Sequence, residues 1–258
     1  MPRYPFQDRR ILITGASSGI GQALARQLAT KGARVATTAR RGDRLARLSQ
    51  DLTRLGATNV HLAGDITDAT HRASLVQLVV DRWGGLDCLI NNAGVGAIGD
   101  FAQDTSDRLR YIMEVNFFAP VELIREVLPV TRAGHHPMLV NIGSVLGHRA
   151  VKSKSEYCAS KFALHGFSDA LRAELASEGI HVLLVSPSTT KSEFFDNVLA
   201  GADTSPRTRG MSPETVARKT IRAMESGRHE IILSSGGKLL VWLDRFAPSL
   251  ADRILARW

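Results

Sequence analysis

Short apolar runs alternate with longer segments of helical period along most of this chain. Apolar stretches near residues 10–14, 34–38, 59–63, 86–91, 137–143, 180–186 and 229–233 predict strands, several with no polar face. Between them, residues near 19–31, 42–55, 68–83, 106–131, 154–178 and 212–226 repeat their apolar positions at helical spacing. Strand followed by helix, over and over, implies an α/β fold. The expected architecture is a doubly wound parallel sheet of about seven strands, with helices on both faces and right-handed crossovers. Ligand then belongs at the carboxyl ends of the strands. No linker, internal repeat or low-complexity tract divides the chain, and its 258 residues with 44% hydrophobic content suit one large core. Residues 1–235 form the expected domain, and 236–258 an apolar helical extension.

The first strand, Arg10 to Ile13, runs straight into Thr14-Gly15-Ala16-Ser17-Ser18-Gly19-Ile20-Gly21. Glycine at 15 allows a tight turn, at 19 lets the backbone approach a pyrophosphate, and at 21 lets the following helix pack closely on the strand. That helix aims its first amides at the phosphate, the arrangement of a Rossmann-type nucleotide site.

Tyr157 and Lys161 stand four residues apart within a predicted helix, with Ser144 upstream at the end of a buried strand. Residues four apart share one helix face, so the phenol and the ammonium become neighbours. A tyrosine titrates near ~10, and a nearby cation favours its phenolate, drawing the pKa toward the working range. The pair is a candidate proton-handling device.

These motifs together resemble the short-chain dehydrogenase/reductase family over residues from about 8 to about 235. In order they are Thr14 to Gly21, Asp65-Ile66, Asn91-Asn92-Ala93-Gly94, Asn116, Ser144, Tyr157 and Lys161. The resemblance implies hydride transfer between a nicotinamide and a carbonyl or alcohol carbon. Tyr157 is then the proton donor, Ser144 binds the reacting oxygen, and Lys161 tunes Tyr157 and holds the nicotinamide ribose. Asn116 holds a water in a proton relay, although asparagine is also favoured as a helix cap. Asp65 resembles the residue that reads the adenine amino group, and it equally suits a cap ahead of the third helix. The cofactor contacts implied are Gly15, Ser17, Ser18, Gly19, Ile20, Gly21, Asp65, Ile66, Asn92, Ala93, Gly94, Tyr157, Lys161, Pro187, Ser188 and Thr190. One departure stands out: where the family carries Pro-Gly after the sixth strand, this chain has Pro187-Ser188. A homodimer or homotetramer is implied by the resemblance alone.

Cofactor preference is legible at the end of the second strand. An acidic residue there binds the ribose hydroxyls of NAD, whereas a nearby arginine accommodates the extra phosphate of NADP. This chain has Ala39, then Arg40 and Arg41, whose planar forks suit bidentate phosphate contacts. The expectation is NADP (NADPH) in preference to NAD.

Net charge is +8, yet the basic residues are scattered along helices instead of clustered with aromatics, which argues against nucleic acid as partner. Cys88 lies in an apolar strand and Cys158 beside Tyr157, a usage that suits a reducing compartment. The first ten residues carry no apolar signal segment, so a cytoplasmic site is expected. Residues 187–211 form a long irregular connection, in which 193–199 could close over substrate as an amphipathic turn. Val145, Leu146, His148 and Ser188 to Thr190 are expected nearby. The mix is mostly apolar and points to a neutral or lipid-like carbonyl compound. In the tail, residues 238–246 and 250–258 are apolar and basic, each too short for the roughly 20 residues that span a bilayer. They suit a partner subunit, a pocket cover, or peripheral contact with an anionic membrane. Two other functions stay open: a lyase or epimerase with no net redox change, and a nucleotide sensor without catalysis.

Overall fold

The computed structural model describes residues 4–191 and 210–255. Seven strands pair in parallel: β1 (Arg10–Thr14), β2 (Arg34–Ala39), β3 (Asn59–Ala63), β4 (Cys88–Asn91), β5 (Met138–Ile142), β6 (His181–Ser186) and β7 (Glu230–Ile232). Their order across the sheet is β3-β2-β1-β4-β5-β6-β7. The order reverses direction between β1 and β4, which opens a crevice at their carboxyl ends.

Alternation along β1 builds the core. Ile11 and Ile13 turn to one face, where they meet Leu24 and Leu28 of α1 (Gly19–Ala29), Leu45, Leu48 and Leu52 of α2 (Gly42–Arg54), and Ile221 of α7 (Pro213–Glu225). Leu12 turns to the other, with Leu75 of α3 (Ala69–Trp83), Leu123 and Val127 of α5 (Ala119–Arg132), and Leu171 of α6 (Ser155–Leu175). A strand covered on both sides needs apolar residues throughout, which is why these runs show no polar face.

The helix expected over 106–131 is two helices with a π-turn between them. It comprises α4 (Ser106–Met113), a wide turn over Glu114–Phe118, and α5. The Ala119 amide reaches back five residues to the Glu114 carbonyl. Pro120 explains the break: it has no N–H, so the carbonyl of Asn116 four residues back loses its regular donor. Two further helices follow the sheet, α8 (Ser235–Phe246) and α9 (Pro248–Leu255). Pro248 opens α9, where a missing N–H costs nothing. No helix among the described residues is long and apolar enough to cross a membrane.

Candidate active site

The turn after β1 is welded to the end of β4. Thr14 Oγ1 accepts from the amides of Asn92 and Ala93, both at 3.0 Å, while Asn92 Nδ2 donates to the carbonyls of Thr14 (2.9 Å) and Gly15 (3.1 Å). Gly15 has φ +66°, and a Cβ there would stand 2.8 Å from Ala93 Cα. At Gly21 a Cβ would lie 2.5 Å from the Gly15 carbonyl oxygen and 2.6 Å from Asn92 Nδ2. The glycine spacing therefore serves the chain's own packing as well as any ligand. Ser18, at the cap position of α1, makes no side-chain bond to the helix amides. Its hydroxyl instead accepts from Arg41 Nη2 at 2.7 Å, and Ser17 Oγ accepts from Arg41 Nε (3.1 Å) and Nη2 (3.0 Å). A helix start whose amides lack a side-chain cap, with a guanidinium beside it, is a cradle for an anion.

Arg40 is exposed and donates to the Tyr111 hydroxyl at 3.0 Å, so Arg41 holds the glycine-rich turn and Arg40 faces outward across it. Asp65 is not the cap of α3. That place belongs to Asp68, which accepts from the Thr70 amide at 2.8 Å, whereas Asp65 Oδ1 closes a local turn on the Thr67 amide and hydroxyl. Ile66 is buried, and its carbonyl accepts from Arg72 at 3.0 Å.

Ser144 ends the β5 segment, and its hydroxyl caps the short turn Val145–Gly147 through the Leu146 amide (3.1 Å) and hydrogen-bonds Tyr157. The Val145 amide donates to the Pro187 carbonyl at 2.9 Å, which brings the β5 and β6 ends together. Lys161, one turn after Tyr157 on α6, is buried. Its ammonium donates to the Ile142 carbonyl at 3.0 Å and lies 5.8 Å from the centre of the Tyr157 ring. Gly147 is needed here, because a Cβ would stand 2.7 Å from the Lys161 carbonyl oxygen.

The electrostatics differ from the sequence expectation. Lys161 was to draw the Tyr157 phenol downward, but burial dominates and pushes it up to about 12, opposed by the Ser144 hydrogen bond. Burial also brings Lys161 down to about 8, since an ammonium loses its hydration there.

Asn116 is fully buried in the π-turn. Its side chain is spent on structure: Oδ1 accepts from the Val95 amide (2.8 Å), and Nδ2 donates to the Val95 carbonyl (2.9 Å) and Ser160 Oγ (3.0 Å). The Asn116 main-chain carbonyl receives no bond from position 120, because proline has no N–H.

A model of the short chain dehydrogenase family matches residues 9–203. The chain belongs to the short-chain dehydrogenase family of oxidoreductases. It is 35% identical over 252 residues to a dehydrogenase/reductase SDR family protein 7-like of Anopheles gambiae, covering 93% of this chain and 80% of that one. Ketoacyl reductase HetN of Nostoc is 32% identical over 260 residues, covering 97% and 88%. Among solved structures, a short chain dehydrogenase from Burkholderia cenocepacia in complex with NADP is 28% identical with a TM-score of 0.81, covering 91% of this chain and all of that one. A family member from Burkholderia phymatum in complex with NAD superposes with a TM-score of 0.89 over 96% of both chains at 23% identity, a likeness of fold.

Several features of this short-chain dehydrogenase had no sequence signal. Asn91 Nδ2 donates to Asn141 Oδ1 (3.1 Å) and Asn141 Nδ2 to Ser168 Oγ (2.9 Å), a buried polar ladder joining β4, β5 and α6. Arg108 of α4 pairs with Asp104 and with buried Glu156, the residue before Tyr157, and so fixes the first turn of α6. His148 meets Ser186 Oγ at 2.9 Å and Glu230 at 3.3 Å, and burial lowers it to about 4. Both contacts are made by Nε2, and burial favours the neutral imidazole. Pro187 and Ser188 lie at the carboxyl end of β6, and Thr190 pairs with Met211 at the feet of the long connection. Gly94 is half-buried after β4. The turn expected at 193–199 lies outside the described residues.

Proposed function

We propose that the protein is an NADP(H)-dependent oxidoreductase that moves hydride between a nicotinamide and a neutral or lipid-like carbonyl or alcohol. The hydrogen bond between the Ser144 and Tyr157 hydroxyls, with the Lys161 ammonium near the same ring, carries this reading. The glycine-rich turn fits a dinucleotide, because the α1 amides have no side-chain cap and the Arg41 guanidinium stands beside them on Ser17 and Ser18. The NADP preference rests on Arg40 and Arg41 at the end of β2, with no acidic side chain there.

When bound, dihydronicotinamide supplies the hydride. Tyr157, kept protonated by its burial, gives its proton to the substrate oxygen as negative charge grows there. Ser144 donates a hydrogen bond to the same oxygen and stabilises that charge. Lys161 holds the ribose hydroxyls, and the Asn116 carbonyl accepts from a water that refills the relay. Val95, Ala97, Ile112 and Val115 cluster with Tyr157 and Tyr111 to give the site an apolar wall, which supports an uncharged substrate.

The test is an oxidation screen with NADPH and NADH across ketones, aldehydes, steroids and acyl-chain substrates, run beside Tyr157→Phe. Stoichiometric consumption of NADPH over NADH is expected, and it excludes a redox-neutral lyase or epimerase. The Tyr157→Phe protein should still bind NADPH and turn over nothing. A purified Tyr157→Phe enzyme that retains its rate refutes the assignment.

A further inference from the structure

Helices α8 and α9 hold a row of large apolar side chains in water. Leu239, Trp242 and Phe246 are 70%, 63% and 76% exposed, and Leu250 and Ile254 are 48% and 40% exposed. Spacings of three and four place the first three on one face of α8, where the Trp242 and Phe246 rings meet at 5.3 Å. Leu250 and Ile254 share a face of α9 by the same rule. Exposure of this kind, contiguous and aromatic, marks an interaction surface on a soluble protein.

The rim decides the partner. Lys238, Arg245 and Arg253 are exposed on these helices, while their acids, Asp244 and Asp252, both turn to Arg149 from the turn beyond Ser144. Charge left unanswered at the rim is positive, on a chain that already carries +8. A second copy would bring like charges together, whereas anionic headgroups answer them.

We propose that α8 and α9 form a monotopic docking surface that seats the protein on an anionic lipid bilayer. Leu239, Trp242, Phe246, Leu250 and Ile254 enter the boundary between headgroups and acyl chains, and the three basic residues stay at headgroup level. α8, with 12 residues, lies in the interface and does not cross it. The first turn of α8 rests on the site, since a Cβ on Gly237 would stand 2.7 Å from Val145 Cγ2, next to Ser144. Docking therefore sets the substrate mouth beside the bilayer, from which apolar substrates could enter directly. The surface is independent of the reaction assigned above, and its test needs no turnover.

The full chain is sedimented with vesicles of phosphatidylcholine containing one-third phosphatidylglycerol, and with pure phosphatidylcholine, at low and high salt. Binding is expected to the anionic vesicles only and to weaken about tenfold or more at high salt. Trp242→Ser with Phe246→Ser should abolish it while the unfolding midpoint is kept. Should that double variant fail to fold, Arg245→Glu with Arg253→Glu, which leaves the apolar face intact, provides the same reading. A protein that stays in the supernatant with anionic vesicles at low salt overturns the proposal. So does light scattering that shows a dimer dissociated by Trp242→Ser/Phe246→Ser, because the face then belongs to a second copy.

Discussion

Burial moves the two ionisable residues at the centre of the site in opposite directions. It penalises the charged form in each case, so the phenol of Tyr157 rises to about 12 and the ammonium of Lys161 falls to about 8. Below pH 8 the pair is therefore a neutral phenol beside a cation, the protonation state that reduction requires. As pH climbs through about 8, Lys161 loses its proton and with it the charge that holds ribose and supports the growing alkoxide. The pH profile of kcat/KM reports groups of the free enzyme. For the reductive reaction it should be level through neutrality and decline above about 8, tenfold per pH unit. A profile level to pH 10 removes Lys161 from the assigned role. In the oxidative direction the same phenol must first lose a proton, so that rate should instead rise with pH until Lys161 loses its charge near 8.

Element boundaries decide where these groups meet, and glycine decides how close the elements come. Gly21 in α1 lies under the Gly15 carbonyl and Asn92 Nδ2 at distances no Cβ tolerates, whereas Gly166 in α6 has nothing within 4 Å of its would-be Cβ. Gly21→Ala should destabilise by about 1–3 kcal/mol through forced backbone displacement and weaken cofactor binding with it. Gly166→Ala should be neutral or stabilise by up to about 1 kcal/mol, as alanine is the better helix former. Equal unfolding midpoints for the two variants would show that the turn after β1 is softer than its packing implies. The seven strands and the spacing of Gly15, Gly19 and Gly21 were legible because local alternation and conformational freedom set them. The break at Pro120 was less so: proline in a helix has several outcomes, and only the tertiary burial of Asn116 selects the π-turn. The Asp65 turn on Thr67 is local, whereas the hydrogen bonds of Asn116 depend on Val95 and Ser160, 21 and 44 residues away, which nothing in a linear pattern connects. The Arg108–Glu156 pair was invisible for the same reason, being fixed by two helices 48 residues apart in the chain.

Across the whole molecule the two ends of the sheet carry different work. The carboxyl ends of the strands gather Ser144, Asn92 and the glycine-rich turn, while the amino ends are fastened by one buried carboxylate. Asp87 accepts from the Arg10 amide (2.9 Å), Nε (3.0 Å) and Nη2 (2.7 Å), and from the His135 amide (2.8 Å), so it joins the starts of β1, β4 and β5. Burial alone would raise its pKa, but the Arg10 bonds and the His135 amide outweigh it and hold the carboxyl below its ordinary value. A depressed carboxylate contributes stability that is present above the unfolded pKa and lost as pH falls through the folded one. Asp87→Asn replaces one acceptor oxygen by an amide that faces donors, and breaking a buried pair of this kind costs about 3–5 kcal/mol. Urea unfolding at neutral pH should show that loss, and the gap between wild type and variant should narrow on acidification below the carboxylate range. A gap that stays constant to low pH would mean the carboxylate's charge contributes nothing. Because the fastening lies at the pole away from Tyr157, NADPH affinity of the folded Asp87→Asn protein should match wild type, which separates the strength of the sheet from the chemistry at its other end.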